Sequence, residues 1–355
     1  MSYLRFKKVG ADCRQLPPPQ FGTLMPPAVG RESVYGLELA GEDDAFAARE
    51  AACAASAVDV VAPGLATARG VDADRLRTLA YTHRASRLLG RCAASVDAAR
   101  SLVEAATMDR SGTVAVRARD VRGTAAVDTR RLERELGAAL VDRGFTVDLD
   151  DPDHELRVCC ADDTCLVGWL VAESVRDYGD RRPTDRPFFQ PGSMDPLDAR
   201  ALVNLAGAEP GATILDPMCG TGGTLIEAGL VGARVVGVDA QRKMVRGARE
   251  NCRAYLDGEY HLLRGDATSL PLRDDAVDGV VFDAPYGRQS KIARHSLTDL
   301  VGGALTEAAR VAPQAVVVGD RPWAETAADA GWTVEETFER PVHRSLTRYV
   351  LLLRR

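Results

Sequence analysis

From residue 196 to residue 319 the chain alternates short apolar runs with helical stretches, and this rhythm constrains the fold more than any other feature. Strands are expected over residues 212–216, 233–239, 261–263, 278–283 and 314–319. Helices are expected over residues 196–206, 224–231, 243–256 and 298–311. Runs that are apolar throughout, rather than at every second residue, belong to strands covered on both faces, which is the signature of a parallel sheet. The predicted fold class is therefore α/β, a Rossmann-like doubly wound parallel sheet with ligands outside the carboxyl ends of its strands. Residues 332–338 and 346–353 have no helix between them and read as a hairpin that closes the sheet with an antiparallel strand.

The half before this sheet reads differently. A strand over residues 34–40 is followed by a helix over residues 43–57. Residues 113–119 alternate apolar and polar side chains, which puts Arg117 and Arg119 on one face of a strand. Asp128 is placed to cap a helix over residues 129–143 that ends at Gly144. Strands over residues 145–149, 156–160 and 164–171 complete an α+β module. Residues 1–33 are rich in proline and lack periodicity, so they read as a disordered extension. Residues 175–200 are polar and interrupted by prolines, as a linker is. The expected layout is thus an N-terminal region over 34–174, a linker, and a second domain over 201–355. The adjacent Phe188 and Phe189 are unusual in a tether, and either dock it on a domain or wall a ligand pocket.

Charge is informative in kind more than in size. The net charge is −6, and all but four of the 45 basic residues are arginine, as expected for a GC-rich genome and a salt-loaded cytoplasm. An acidic total would ordinarily disfavour a nucleic-acid partner, but screening in strong salt shifts the weight to local patches. Three such patches stand out: Arg117, Arg119 and Arg122; Arg181, Arg182 and Arg186; and Arg288, Lys291 and Arg294. No apolar run is long enough to span a membrane and no signal-peptide pattern opens the chain, so the cytoplasm is the expected compartment. The eight cysteines include no Cys-x-x-Cys pair, which argues against a metal. Cys159 and Cys160 read as small hydrophobes in a buried strand.

The chemistry sits at the strand ends. The first strand of the second domain ends in Asp216-Pro-Met-Cys219-Gly220-Thr221-Gly222-Gly223. Its glycines allow a tight turn and a close backbone approach to a ligand. The loop opens on a carboxylate and has no P-loop lysine, so it disfavours phosphate and suits a sulfonium ligand with an amino-acid tail. Asp239, 23 residues on, ends the next strand, where a carboxylate can accept both ribose hydroxyls of an adenosine. Asp266 follows the third strand and could meet the adenine amino group. Any of these alone could be a helix cap, but three acids ending successive parallel strands converge on one crevice.

The fourth strand ends in Asp283-Ala284-Pro285-Tyr286-Gly287. This resembles the Asp/Asn-Pro-Pro-Tyr motif of amino-group methyltransferases. An exocyclic amine is a poor nucleophile because its lone pair is delocalised into the ring. An acid and a backbone carbonyl that accept its two N–H bonds favour the pyramidal geometry of in-line attack, while the aromatic ring stacks on the extruded base. Ala284 replaces the first proline but keeps the carbonyl, and Pro285 holds the residue before it extended.

Residues 216–229 together with 283–290 resemble archaeal tRNA guanine-N2 methyltransferases that act at position 10 of tRNA, and the likeness extends over residues 34–355. The resemblance implies S-adenosyl-L-methionine as cofactor, tRNA as partner, a monomer, and a THUMP module in the N-terminal region that binds the acceptor end of tRNA. It implies one or two methyl groups on the guanosine amine. Residues 186–193 resemble that family's linker, which would put Phe188, Phe189 and Pro191 near the cofactor. The alternatives are a guanine-N2 methyltransferase of rRNA or of another tRNA position, an amino methyltransferase of DNA or protein, and an RNA-binding protein with a relict catalytic domain.

Overall fold

The computed structural model describes residues 33–286, 296–343 and 346–355. The expected extension therefore lies outside the described residues except for Ser33, as do Gly287 and the cluster of Arg288, Lys291 and Arg294.

The N-terminal half builds one eight-stranded sheet from β1 (Val34–Leu39), β2 (Ser56–Ala62), β3 (Leu65–Arg69), β4 (Thr82–Ala93), β5 (Thr113–Asp120), β6 (Thr146–Val147), β7 (His154–Ala161) and β8 (Thr164–Glu173). Their order across the sheet is β2-β3-β1-β4-β8-β7-β5-β6. Helices α1 (Asp44–Ala51), α2 (Ala73–Leu76), α3 (Val96–Ala105) and α4 (Thr129–Val141) accompany it. In α4 the Asp128 side chain accepts the Arg131 amide, and Leu132, Leu136 and Leu140 repeat at the helical period to face the core. They join Val114, Val116, Leu156, Val158, Val167 and Trp169 in one cluster.

Three local expectations are corrected here. The helix expected over residues 43–57 stops at Ala51, and Ser56–Ala62 is an edge strand paired antiparallel with β3. Alanine content favoured the helix, but Ala57 turns to φ +48° and the β-branched Val58, Val60 and Val61 suit a strand. The strand expected over 145–149 is only Thr146–Val147, because the Asp148 carboxylate accepts the amides of Asp150 and Asp151 and turns the chain. Cys160 is not a lone small hydrophobe. It stands opposite Cys165 across β7 and β8 and forms a disulfide with it, while Cys159 is free and buried.

The second sheet comprises β9 (Thr213–Asp216), β10 (Arg234–Asp239), β11 (Tyr260–Arg264), β12 (Gly279–Asp283), β13 (Gln314–Gly319), β14 (Thr333–His343) and β15 (Leu346–Arg354). Its order is β11-β10-β9-β12-β13-β15-β14. The first five strands are parallel, and β15 runs antiparallel to both β13 and β14. Helices α5 (Pro196–Leu205), α6 (Gly223–Leu230), α7 (Arg242–Tyr255) and α8 (Leu297–Val311) lie near their expected positions, and a short α9 (Ala324–Asp329) was not expected. Strand order reverses between β9 and β12, and in such sheets the crevice at that reversal binds the ligand.

The two sheets share a core. One apolar cluster contains Leu37, Phe46, Leu79 and Tyr81 of the N-terminal half, Leu202 and Leu205 of α5, and Ile214, Val316 and Val350 of the second sheet. A buried carboxylate crosses the same seam. Glu50 of α1 accepts the amides of Ala80 (2.7 Å) and Tyr81 (2.6 Å) and the Asn204 side-chain amide of α5 (2.7 Å). Among the described residues no helix is long and apolar enough to cross a membrane.

Candidate active site

The loop after β9 is held by its own first residue. Asp216 is 3% exposed. Its Oδ1 accepts the Met218 amide at 2.9 Å and its Oδ2 accepts the Thr224 hydroxyl. Its carboxylate thus braces the turn from Met218 to the first turn of α6. Gly220 and Gly222 adopt φ of +51° and +79°, a region open to glycine at little cost. Cys219 is buried, its amide bound to Val238 of the neighbouring strand. Thr221 is also buried; its carbonyl accepts the Asn251 side chain at 2.9 Å.

Asp239 ties this loop to the next strand end. Its Oδ2 accepts the Gly220 amide at 3.1 Å and its Oδ1 accepts the Gln241 amide at 2.7 Å. Each oxygen keeps a second lone pair for a ligand. Asp266, beyond β11, is half-buried and accepts the amide and hydroxyl of Thr268 at 2.9 and 2.8 Å. Burial pushes the Asp239 carboxyl upward. It pushes Asp216 up to about 7, against hydrogen bonds from Thr224 and Met218, and the charges of Asp239 and Asp283 add to the push. Asp216 thus feels the charges of both Asp239 and Asp283.

Asp283 ends β12, across the strand-order reversal from the glycine loop. Its Oδ1 accepts the Tyr286 hydroxyl at 2.8 Å. Burial pushes its carboxyl up to about 6, opposed by the cation of Arg348 and the Tyr286 hydrogen bond. Ala284 is buried and its amide is bound to Val318 at 2.8 Å, which fixes the residue whose carbonyl was expected to meet an amine. Pro285 and Tyr286 are half-buried. Arg348 of β15 donates to the Tyr286 oxygen at 3.1 Å. Sequence reasoning missed Arg348, because a lone arginine in the apolar run before Arg354 carries no signal until the strand register is known.

The linker runs across α6 and α7, and its two phenylalanines part ways. Phe188 docks: its amide and carbonyl both bond the Asn251 side chain at 2.8 Å, and its ring lies where a side chain on Gly247 would stand. Phe189 is 42% exposed and Pro191 is exposed. Ser193 reaches the glycine loop through its hydroxyl, 3.1 Å from that of Thr221.

The linker's basic patch is corrected. Arg181 is buried against Glu227, bonded at 2.6 and 3.1 Å, and Arg186 is buried beside Gly223, so neither offers a charge to an outside polyanion. In the first patch Arg122 is paired with Asp44 and Arg119 lies 3.7 Å from Glu38. Arg181 and Arg186 serve packing because the docked linker hides them, whereas Arg182 of the same patch and Arg119 of the first remain exposed. Among the described residues no group of His, Cys, Asp and Glu side chains is gathered as a metal site.

Two family models match the chain: an "RMKL-like, methyltransferase domain" over residues 183–350 and a THUMP domain over residues 96–169. The chain is 39% identical over 286 residues to the tRNA (guanine(10)-N2)-dimethyltransferase of Methanothermobacter thermautotrophicus, covering 79% of this chain and 84% of that one. It is 33% identical to the Pyrococcus abyssi protein of the same name, over 68% of this chain and 74% of that one. It is also 31% identical to the U6 snRNA (guanine-N(2))-methyltransferase THUMPD2 of Bos taurus, over 45% of this chain and 32% of that one.

Proposed function

The chain belongs to the tRNA (guanine(10)-N2)-dimethyltransferase family, and on that premise we propose that it transfers methyl groups from S-adenosyl-L-methionine to the exocyclic amine of guanosine at position 10 of tRNA. The observation that carries this reading is the amine-directed run from Asp283 to Tyr286 ending β12, beside the strand that carries the glycine turn. We assign residues 34–174, with their THUMP domain, to RNA binding and residues 201–355 to catalysis, with residues 175–200 as the linker. We further assign a monomer that works in the cytoplasm without a metal.

The residues suit this cofactor. Among the described residues the strand ends carry the acids Asp216, Asp239 and Asp283, which favours hydroxyls, an amine and a sulfonium over phosphate. Arg186 leaves both terminal nitrogens without a protein acceptor beside Gly223, and a carboxylate would supply one. In this reading Asp239 holds the ribose hydroxyls and Asp266 the adenine amine. Cys219, Gly220, Thr221 and Gly222 form the turn that Asp216 braces, and Phe189 and Pro191 cover it. When bound, the cofactor supplies an electrophilic methyl group on sulfur.

The chain's own residues prepare the amine. Asp283 accepts one N–H bond and the Ala284 carbonyl the other, which draws the nitrogen lone pair out of conjugation and toward the methyl group. Asp283 then stands where the proton released by the methylated amine must go. Tyr286 stacks on the base. A second reading, the same chemistry on another structured RNA, draws support from the U6 snRNA relative.

Labelled methyl transfer into unmodified tRNA, with U6-type RNA, DNA and peptide as competitors, tests this. Incorporation into tRNA alone is expected. Transfer to DNA or peptide, or cofactor binding with no transfer to any RNA, would contradict it.

A further inference from the structure

The closing hairpin sets Arg340 of β14 directly opposite Arg348 of β15. Like charges in that position repel each other, and here their side chains are only 19% and 12% exposed. One carboxylate reaches both. Asp198 of α5 lies 3.2 Å from Arg340 Nη2 and 3.6 Å from Arg348 Nη1.

Beyond that shared anion the two arginines point to different partners. Arg340 donates to the Tyr81 hydroxyl oxygen at 2.6 Å, and Tyr81 in turn donates to Asp198 at 2.6 Å. The Arg340 guanidinium also lies 4.1 Å over the Phe46 ring of α1 and 4.7 Å over that of Tyr81. Arg348 instead donates through Nε to Tyr286, whose hydroxyl donates to Asp283 Oδ1. One chain of contacts thus runs from the N-terminal half to the catalytic acid.

We propose that Arg348 is a positioning residue for methyl transfer, fixing the Asp283 carboxylate through Tyr286 and anchoring it to the N-terminal half through Asp198. This deepens the functional reading above and rests on its assignment of Asp283 to the amine. The arrangement commits Oδ1 to Tyr286 and leaves Oδ2 to meet the substrate N–H. It also selects an ionisation state. Among the described residues the groups that face Asp283 are Arg348 from β15, Tyr286 from its own loop, Asp320 after β13 and Asp216 after β9. Among these Arg348 is the cation, and two of the others are acids that oppose a charged Asp283. Without Arg348, burial and those acids act with less opposition and Asp283 holds its proton to higher pH.

The full-length protein with Arg348→Met or Arg348→Lys tests this, with kcat and KM for unmodified tRNA followed against pH and cofactor affinity measured by calorimetry. In Arg348→Met the acid limb of kcat moves up by about one pH unit, and kcat just above the wild-type limb falls about tenfold. Cofactor affinity and KM for tRNA stay within about twofold, and Arg348→Lys restores the wild-type limb. An unmoved limb, or a loss confined to KM or cofactor affinity, would overturn the proposal. Should Arg348→Met fail to fold, Asp198→Asn, which removes the anion that anchors Arg348, carries the test: a smaller shift in the same direction supports the proposal, and none overturns it. Full activity in Asp283→Asn would instead overturn the functional reading itself.

Discussion

Among single residues, the carboxyls of Asp216, Asp239 and Asp283 are all raised by burial. Burial pushes the Asp283 carboxyl up to about 6, outweighing the opposing Arg348 cation and Tyr286 hydrogen bond. The ionised form is the one that accepts an N–H bond. Activity should therefore rise with pH through about 6 and level off above it, with protonation silencing the enzyme on the acid side. Asp283→Asn should lower kcat by about a hundredfold or more while leaving cofactor affinity within about threefold, since its partner is the amine. Single-turnover methylation and calorimetry read the two quantities separately, and a parallel loss of cofactor affinity would reassign Asp283 to the cofactor. Asp216, Asp239 and Asp283 were legible from the sequence because each ends a short apolar run, so topology alone brings them together. Arg348 was not legible, since its role depends on a cross-strand register and on Asp198, 150 positions earlier in the chain. The Cys160–Cys165 disulfide was hidden for the same reason of register.

At the scale of elements the linker is the part whose composition misled. Its arginines and prolines read as a solvated tether, yet Arg181 and Arg186 are buried and Phe188 is seated on α7. Gly247 makes that seat possible, since a Cβ there would stand 2.0 Å from the Phe188 ring. Gly247→Ala should dislodge the ring and with it the Ser193–Thr221 contact, weakening cofactor binding by about tenfold, or ~1.4 kcal/mol. Calorimetry of cofactor binding checks this, and an unchanged affinity would mean that the linker's docking is irrelevant to the loop. The long helices and parallel strands were readable because 3.6-residue periodicity and unbroken apolar runs are strong signals. The edge strand β2 was lost to an alanine-rich stretch that propensity assigns to a helix, where pairing with β3 decides otherwise.

At the scale of the whole molecule the two halves do not behave as beads on a string. One apolar cluster takes side chains from both, and Glu50 bonds both its own half and Asn204 of α5. Cutting away residues 34–174 would expose that cluster, so point substitutions are the cleaner probe of RNA binding. Unfolding should be one transition: Trp169 reports the first sheet and Trp332 the second, and single-tryptophan variants should give coincident denaturant curves. Glu50→Ala leaves two amides and the Asn204 side chain without their acceptor and should cost about 3 kcal/mol in that shared transition. Separate midpoints for the two tryptophans would refute the shared core. The central claim is guanine-N2 methylation of tRNA, and nucleoside mass spectrometry of unmodified tRNA after reaction with S-adenosyl-L-methionine tests it most directly. N2-methylguanosine or N2,N2-dimethylguanosine mapping to position 10 is expected. A methyl group on any other base, or on another atom of guanine, would contradict it.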